Sequence, residues 1–168
     1  MPSQPMLDLL NKQIDLELFS SNQYRQMSAW CESKGLMGCA KFLRTQAEEE
    51  LDHMRKFIDF VHERGEMVII GALDAPRYQF DDLVQVFRSG LDHEKTVTAA
   101  IHRMADTALS EKDYATFNFL QWFVSEQVEE EALFQAILDR MALIGADDRG
   151  LFFIDQEIQN MRPRAAAE

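Results

Sequence analysis

Apolar residues recur at alternating steps of three and four over four long stretches of this chain, the spacing of amphipathic helices. The first stretch covers residues 5–34 and meets Gly35, a natural helix stop. The second covers residues 37–64 and meets Gly65. The third starts near Asp81 or Asp82, side chains suited to cap a helix N-terminus, and continues to Ser110. The fourth starts near Asp113 and ends before Gly145. A shorter apolar piece, residues 151–158, predicts a small fifth helix. Pro163 cannot continue a helix, so residues 161–168 are expected to form a loose tail.

The connections set the topology. The first two helices are joined tightly, as are the third and fourth, so each pair is expected to be antiparallel. Between them, residues 66–80 form a long link containing Gly71 and Pro76. At ~3.3 Å per extended residue such a link can run the length of a bundle. The prediction is all-α: a four-helix bundle with one long crossover between helices two and three and a short fifth helix. It forms a single domain over residues 1–168, with its helical core at about 5–160. The apolar run Met67-Val68-Ile69-Ile70 belongs to the crossover, packed on the bundle or at a subunit contact.

The inward stripe of each helix carries the chemistry. Helix one presents Leu10, Ile14, Glu17, Ser21, Tyr24 and Ser28, and helix two Leu43, Ala47, Glu50, Met54, Phe57 and Val61. Helix three presents Leu83, Phe87, Gly90, Glu94, Val97, Ile101 and Met104. Helix four presents Leu120, Phe123, Gln127, Glu130, Phe134, Ile137 and Met141. Every stripe is apolar at its ends and broken near its middle by Glu. A single Glu in such a stripe ordinarily points outward. Four at one level would repel one another strongly, and an unpaired buried carboxylate is costly. Cations between them remove the repulsion, and oxygen ligands with one imidazole suit iron. His53 follows Glu50 by three residues, so both reach one metal pair.

Two-iron carboxylate bundles use one Glu from each of two helices and Glu-x-x-His from each of the others. Here Glu17 and Glu94 are the single glutamates, Glu50 and His53 form one paired motif, and Gln127 and Glu130 replace the second. One imidazole is therefore missing, which predicts two unlike iron positions. Glu17, Glu50 and His53 hold the first; Glu50 bridges to a second held by Glu94 and Glu130. Neutral Gln127 is expected to orient water or an oxygen species.

Composition narrows the partners. The 168 residues are 46% hydrophobic and 27% charged, with a formal net charge of −12. That charge argues against duplex nucleic acid and is compatible with cations. Cys31 and Cys39, the only cysteines, lack CxxC spacing and are expected to be free. The first ten residues lack the basic-then-apolar pattern of a signal peptide, and no apolar stretch is long enough to span a bilayer. The expected compartment is the cytoplasm.

Several stretches resemble the bacterial non-haem ferritins: Ile14-Asp15-Leu16-Glu17-Leu18-Phe19-Ser20-Ser21, QMSAWC from Gln26, EEELDHM from Glu48, and YATFNFLQWFVSEQVEEE from Tyr114. The last is long and specific, and the resemblance runs from about Leu7 to Asn160. It implies a homo-oligomeric 24-subunit shell that stores ferric mineral, and ferroxidase chemistry in which O2 or H2O2 oxidises Fe2+. Glu17, Glu50, His53, Glu94, Gln127 and Glu130 match the family's paired site. Glu49, Glu126 and Glu129 match an adjacent third-iron site, Tyr24 a tyrosine near the pair, and Trp122 an aromatic neighbour. From the residues alone, Glu126 and Glu129 could be a solvated face and Tyr24 a core tyrosine. Glu131 reads as surface, and His62, His93 and His102 as structural or exposed.

Departures from related families matter too. Haem-binding relatives carry Met just after the bridging Glu and His near the end of the site; Leu51 and Glu130 stand here, so no haem is expected. Animal ferritins place acidic residues where this chain has Phe117 and Leu120, which disfavours their iron-entry route. A non-catalytic shell subunit is the alternative from another class, and the intact site residues weigh against it. A rubrerythrin-type oxidoreductase would need an electron-transfer module, for which CxxC pairs are lacking.

Overall fold

The computed structural model describes residues 1–145 and 147–161. Of the expected tail, residues 161–168, all but Met161 lie outside the described residues. Five helices are present: α1 (Gln4–Ser33), α2 (Met37–Glu63), α3 (Leu83–Ser110), α4 (Tyr114–Ile144) and α5 (Asp148–Ile158), with no strand among the described residues. None of these helices is long and apolar enough to cross a membrane. The fold is an all-α four-helix bundle in which α1 packs on α2, α3 on α4, and α5 against α2 and α4.

Local chemistry sets the helix ends. Ser3, Asp82, Asp113 and Asp147 cap α1, α3, α4 and α5, their side-chain oxygens accepting from Met6, Gln85, Thr116 and Gly150 N–H groups at 3.2, 2.7, 3.2 and 2.7 Å. Gly35 and Gly65 leave α1 and α2 at φ of +75° and +79°, which an ordinary side chain resists. The fifth helix starts three residues earlier than its apolar run suggested, because Asp147 supplies the cap.

The α2 N-terminus is different. Leu36 has no capping side chain. Instead, Asp155 reaches over from α5: its Oδ2 accepts from Gly38 N–H at 3.0 Å and its Oδ1 from Cys39 N–H at 2.8 Å. One carboxylate thus satisfies two buried donors and places negative charge at the positive end of the α2 dipole.

The crossover, residues 64–82, runs along α1. An extended link must find partners for its backbone outside itself. Asn11 Oδ1 accepts from Ile69 N–H at 3.0 Å and Asp15 Oδ1 from Gly71 N–H at 2.8 Å. Gln23 bonds Arg77 twice, accepting its N–H at 3.0 Å and donating to its carbonyl at 3.2 Å. Of the apolar run, only Val68 packs on the bundle; Met67, Ile69 and Ile70 are exposed on the single chain.

The core is split in two. One apolar cluster gathers Tyr24, Leu43, Phe87, Phe134 and Ile137 with Ile154 of α5. The other gathers Leu10, Ile14, Phe57, Val97, Ile101, Leu120 and Phe123. The glutamate layer lies between them. The inward stripes hold almost throughout, but on α2 His53 is buried and Met54 only half-buried, so the stripe takes a three-residue step after Glu50. Gly90 is buried, and its lack of a Cβ makes room for the Phe134 ring. Cys31 and Cys39 are free and buried.

The double cap generates a test. Asp155→Ala leaves two buried N–H groups at the α2 start without acceptors. Urea unfolding is expected to show a loss of about 2 kcal/mol, and Asp155→Asn, which keeps one carbonyl acceptor, about half as much.

Candidate metal centre

Each bundle helix contributes to one buried layer. Glu17 comes from the middle of α1, Glu50 and His53 from α2, Glu94 from α3, and Gln127 and Glu130 from α4, all buried. Glu50 and His53 are three residues apart and so face the same way on α2; His53 Nδ1 lies 3.3 Å from Glu50 Oε2. Glu17, Glu50 and His53 each offer one ligand atom, all within 4.8 Å of one another. Among the described residues this is the group of three or more His, Cys, Asp or Glu side chains close enough to hold an ion.

The other two glutamates face this trio with donors already in place. Glu94 Oε1 accepts from the Tyr24 hydroxyl, and Glu94 Oε2 from Gln127 Nε2 at 3.0 Å. Gln127 Nε2 also lies 3.2 Å from the Glu94 carbonyl and 3.3 Å from Thr98 Oγ1. Glu130 Oε2 accepts from Gln46 Nε2 at 2.7 Å, and Glu17 Oε1 from Gln13 Nε2 at 2.8 Å. Two oxygens of the layer, Glu17 Oε2 and Glu130 Oε1, are buried with no donor.

Electrostatics follow from this crowding. Burial first, and then the Glu50 carboxyl, hold Glu17 well above the ordinary carboxylate range; the two stand close enough to share a proton. Burial and then Glu94 raise both Glu50 and Glu130, while Glu49 adds its charge to each. Glu94 is raised by burial too, against the opposing pull of its Tyr24 and Gln127 bonds.

The remaining residues form a surround. Tyr24 stacks on Phe134 with ring centroids 5.6 Å apart, and burial followed by the Glu94 charge holds its phenol protonated. Trp122 meets His53 edge-on at 5.4 Å and carries the Lys56 ammonium over its ring, 4.7 Å from the centroid. Glu49, Glu126 and Glu129 are half-buried rather than solvated. Glu129 Oε2 is buried without a donor, and burial followed by the opposing His53 charge leaves Glu126 raised.

Some contacts escape a reading of stripes. Gln13 is four residues from Glu17, and that spacing was available as a signal. Gln46 reaches Glu130 from another helix, which no spacing reveals. Glu131, expected at the surface, is half-buried and accepts from Thr98 Oγ1 at 2.6 Å, because α3 packs over that side of α4. His93 is structural: its Nε2 lies 2.6 Å from Ser20 Oγ, and burial lowers its pKa to about 4, so it is neutral.

Comparison with known proteins agrees with this architecture. The family model of the ferritin-like domain matches residues 7–144. A probable bacterial non-heme ferritin-like protein of Haemophilus influenzae is 45% identical over 165 residues, covering 98% of this chain and 100% of the relative. A bacterial non-heme ferritin of Escherichia coli is 42% identical, covering 93% of this chain and 94% of the relative. The open pore ferritin of Archaeoglobus fulgidus superposes with a TM-score of 0.93 at 41% identity, over 96% of this chain and 99% of that one. The chain therefore belongs to the ferritin family, and its relatives include the bacterial non-haem ferritins.

Proposed function

We propose that this chain, as one domain over its whole length, is a cytoplasmic iron-storage subunit that oxidises Fe2+ at a two-iron centre within its own bundle. The ferric product is kept as mineral inside a 24-subunit shell. One observation carries the catalytic part: Glu17 Oε2 and Glu130 Oε1 are sealed in the core with no donor, and Glu17 lies beside Glu50 and His53. Bare carboxylate oxygens in such a place are costly unless a cation, or a proton shared with a neighbouring carboxyl, meets them. The family membership supports the storage part.

Iron is substrate here. Glu17, Glu50 and His53 receive the first ion, and Glu50 bridges to a second held by Glu94 and Glu130. Glu94 offers the second position the remaining lone pair of either oxygen, or a whole oxygen where Tyr24 or Gln127 lets go; a freed Gln127 amide can then orient water or the oxidant. Each Fe2+ loses one electron. O2 takes two electrons and two protons and leaves as hydrogen peroxide, which can take two more electrons and two protons to become water. The protons shared among the metal-free carboxyls are displaced as iron enters. Tyr24, bonded to Glu94, acts on the pair through that carboxylate. Glu49, Glu126 and Glu129 stage a further iron beside the pair, with hard oxygen ligands and no imidazole.

Glu50→Ala and His53→Ala are expected to abolish fast Fe2+ oxidation, measured by stopped-flow absorbance, while circular dichroism stays helical. Wild-type rates in either variant would remove the site assignment. The linkage sign is set by the raised carboxyls. The metal-free fold binds more protons than the unfolded chain, so its stability falls as pH rises from the ordinary carboxylate range through the raised values. Glu50→Ala removes one such group and is expected to flatten that fall in urea titrations.

Glu129→Ala is expected to leave the first two-iron oxidation nearly normal while changing the iron-to-oxygen ratio and later turnover. Oxygen-electrode stoichiometry and repeated iron additions check this; identical behaviour to wild type would rule out the staging role.

Shell assembly is supported by exposed apolar side chains on the crossover and α5, among them Met67, Ile69, Ile70, Phe152 and Phe153. Light scattering at micromolar concentration is expected to show a large closed particle; a monodisperse monomer would sink the shell.

A further inference from the structure

The buried carboxylates of the layer receive their donors unevenly. Glu94 has one donor on each oxygen, from Tyr24 and Gln127. Glu17 and Glu130 have a donor on one oxygen only. Gln13 Nε2 donates to Glu17 Oε1 at 2.8 Å, and Gln46 Nε2 donates to Glu130 Oε2 at 2.7 Å. The opposite oxygens, Glu17 Oε2 and Glu130 Oε1, are buried and receive none.

Gln13 and Gln46 are themselves sealed, at 2% and 1% exposure. A buried carboxamide is costly unless it bonds, and its N–H can only donate. Neither glutamine is itself an acid or an imidazole, yet both spend their amide on a glutamate of the layer. They do so from independent directions: Gln13 sits one turn from Glu17 on α1, whereas Gln46 crosses from α2 to α4. Within the layer, the carboxylates so treated are those that keep a buried oxygen without a donor; outside it, Glu129 Oε2 is in the same condition.

We propose that Gln13 and Gln46 are positioning residues that hold Glu17 and Glu130 as one-oxygen ligands, each turning a single bare oxygen toward its metal position. The inference rests on the two-iron reading above. A carboxylate that swings both oxygens onto an ion occupies two coordination positions with one group. An oxygen tied to a buried amide is held back from following, because the swing bends or breaks a bond that the buried amide has no way to replace. The clamps therefore keep coordination positions open on each ion for water or oxidant. They also fix the two glutamates before any ion arrives, as outer partners of metal ligands do.

Co2+ titration tests this without turnover, reading binding and d–d absorption. Wild type is expected to take two Co2+ per subunit. Gln13→Met and Gln46→Met fill similar space but carry no N–H donor. Gln13→Met is expected to weaken Co2+ at the position of Glu17, Glu50 and His53 by about tenfold or more. It should also lower the absorption intensity there, because a second carboxylate oxygen raises the coordination number and higher-coordinate Co2+ absorbs less. Gln46→Met should do the same at the Glu130 position and leave the first unchanged. Gln13→Asn and Gln46→Asn, which keep the amide but shorten its reach, are expected to reproduce both losses and serve where a Met variant does not fold. Failure of wild type to bind Co2+ would overturn the two-iron reading and the clamps with it. Normal binding and spectra in the variants, even with a lowered melting temperature, would overturn the clamps alone.

Discussion

Like-charged carboxyls buried at one level of a closed helical bundle are the constraint around which this molecule is arranged. Four helices each bring a glutamate into an interior that is otherwise apolar. Burial pushes all four above their ordinary range, and the charge of a neighbouring carboxylate adds to it in each case. A layer of that kind cannot hold a bundle together. The two apolar clusters on either side of it do. The length of α1 to α4 follows from this, since each helix must pass through one cluster, the polar layer, and the other cluster.

Donors within the layer are rationed. Each glutamate finds some partner, but together the partners leave two oxygens bare. Glu94 is the most fully satisfied, Glu17 and Glu130 half so, and Glu50 is drawn into the imidazole of its own helix. Aromatic rings border the layer: Phe134 stacks on Tyr24, and Phe123 lies against both His53 and Trp122.

The scaffold outside the layer relies on polar bonds where apolar burial is unavailable. The crossover is held to α1 by Asn11, Asp15 and Gln23, each bonding backbone that has no ladder of its own. The fifth helix does more than cover one end of the bundle. Its Asp155 completes the start of α2, so the helix that carries Glu50 and His53 begins on a carboxylate from the far end of the chain.

Much of this was legible in the residues. Helical periodicity located α1 to α4, because a stripe three to four residues apart is a local property. The same periodicity put Glu17, Glu50, Glu94, Gln127 and Glu130 on inward faces, and spacing joined His53 to Glu50. The length of the link between α2 and α3 determined the connectivity. Other features had no local signal. That Glu17, Glu50 and His53 converge within one small space depends on how α1 and α2 are set side by side. The bond from Gln46 to Glu130, the cap from Asp155 to α2 and the burial of Glu131 join residues 84, 116 or 117, and 33 positions apart. Periodicity reports which way a side chain faces from its own helix. Only the packing of helices against one another decides which atoms it meets there, and in this chain that packing chose which carboxylate oxygens are bonded and which are left bare.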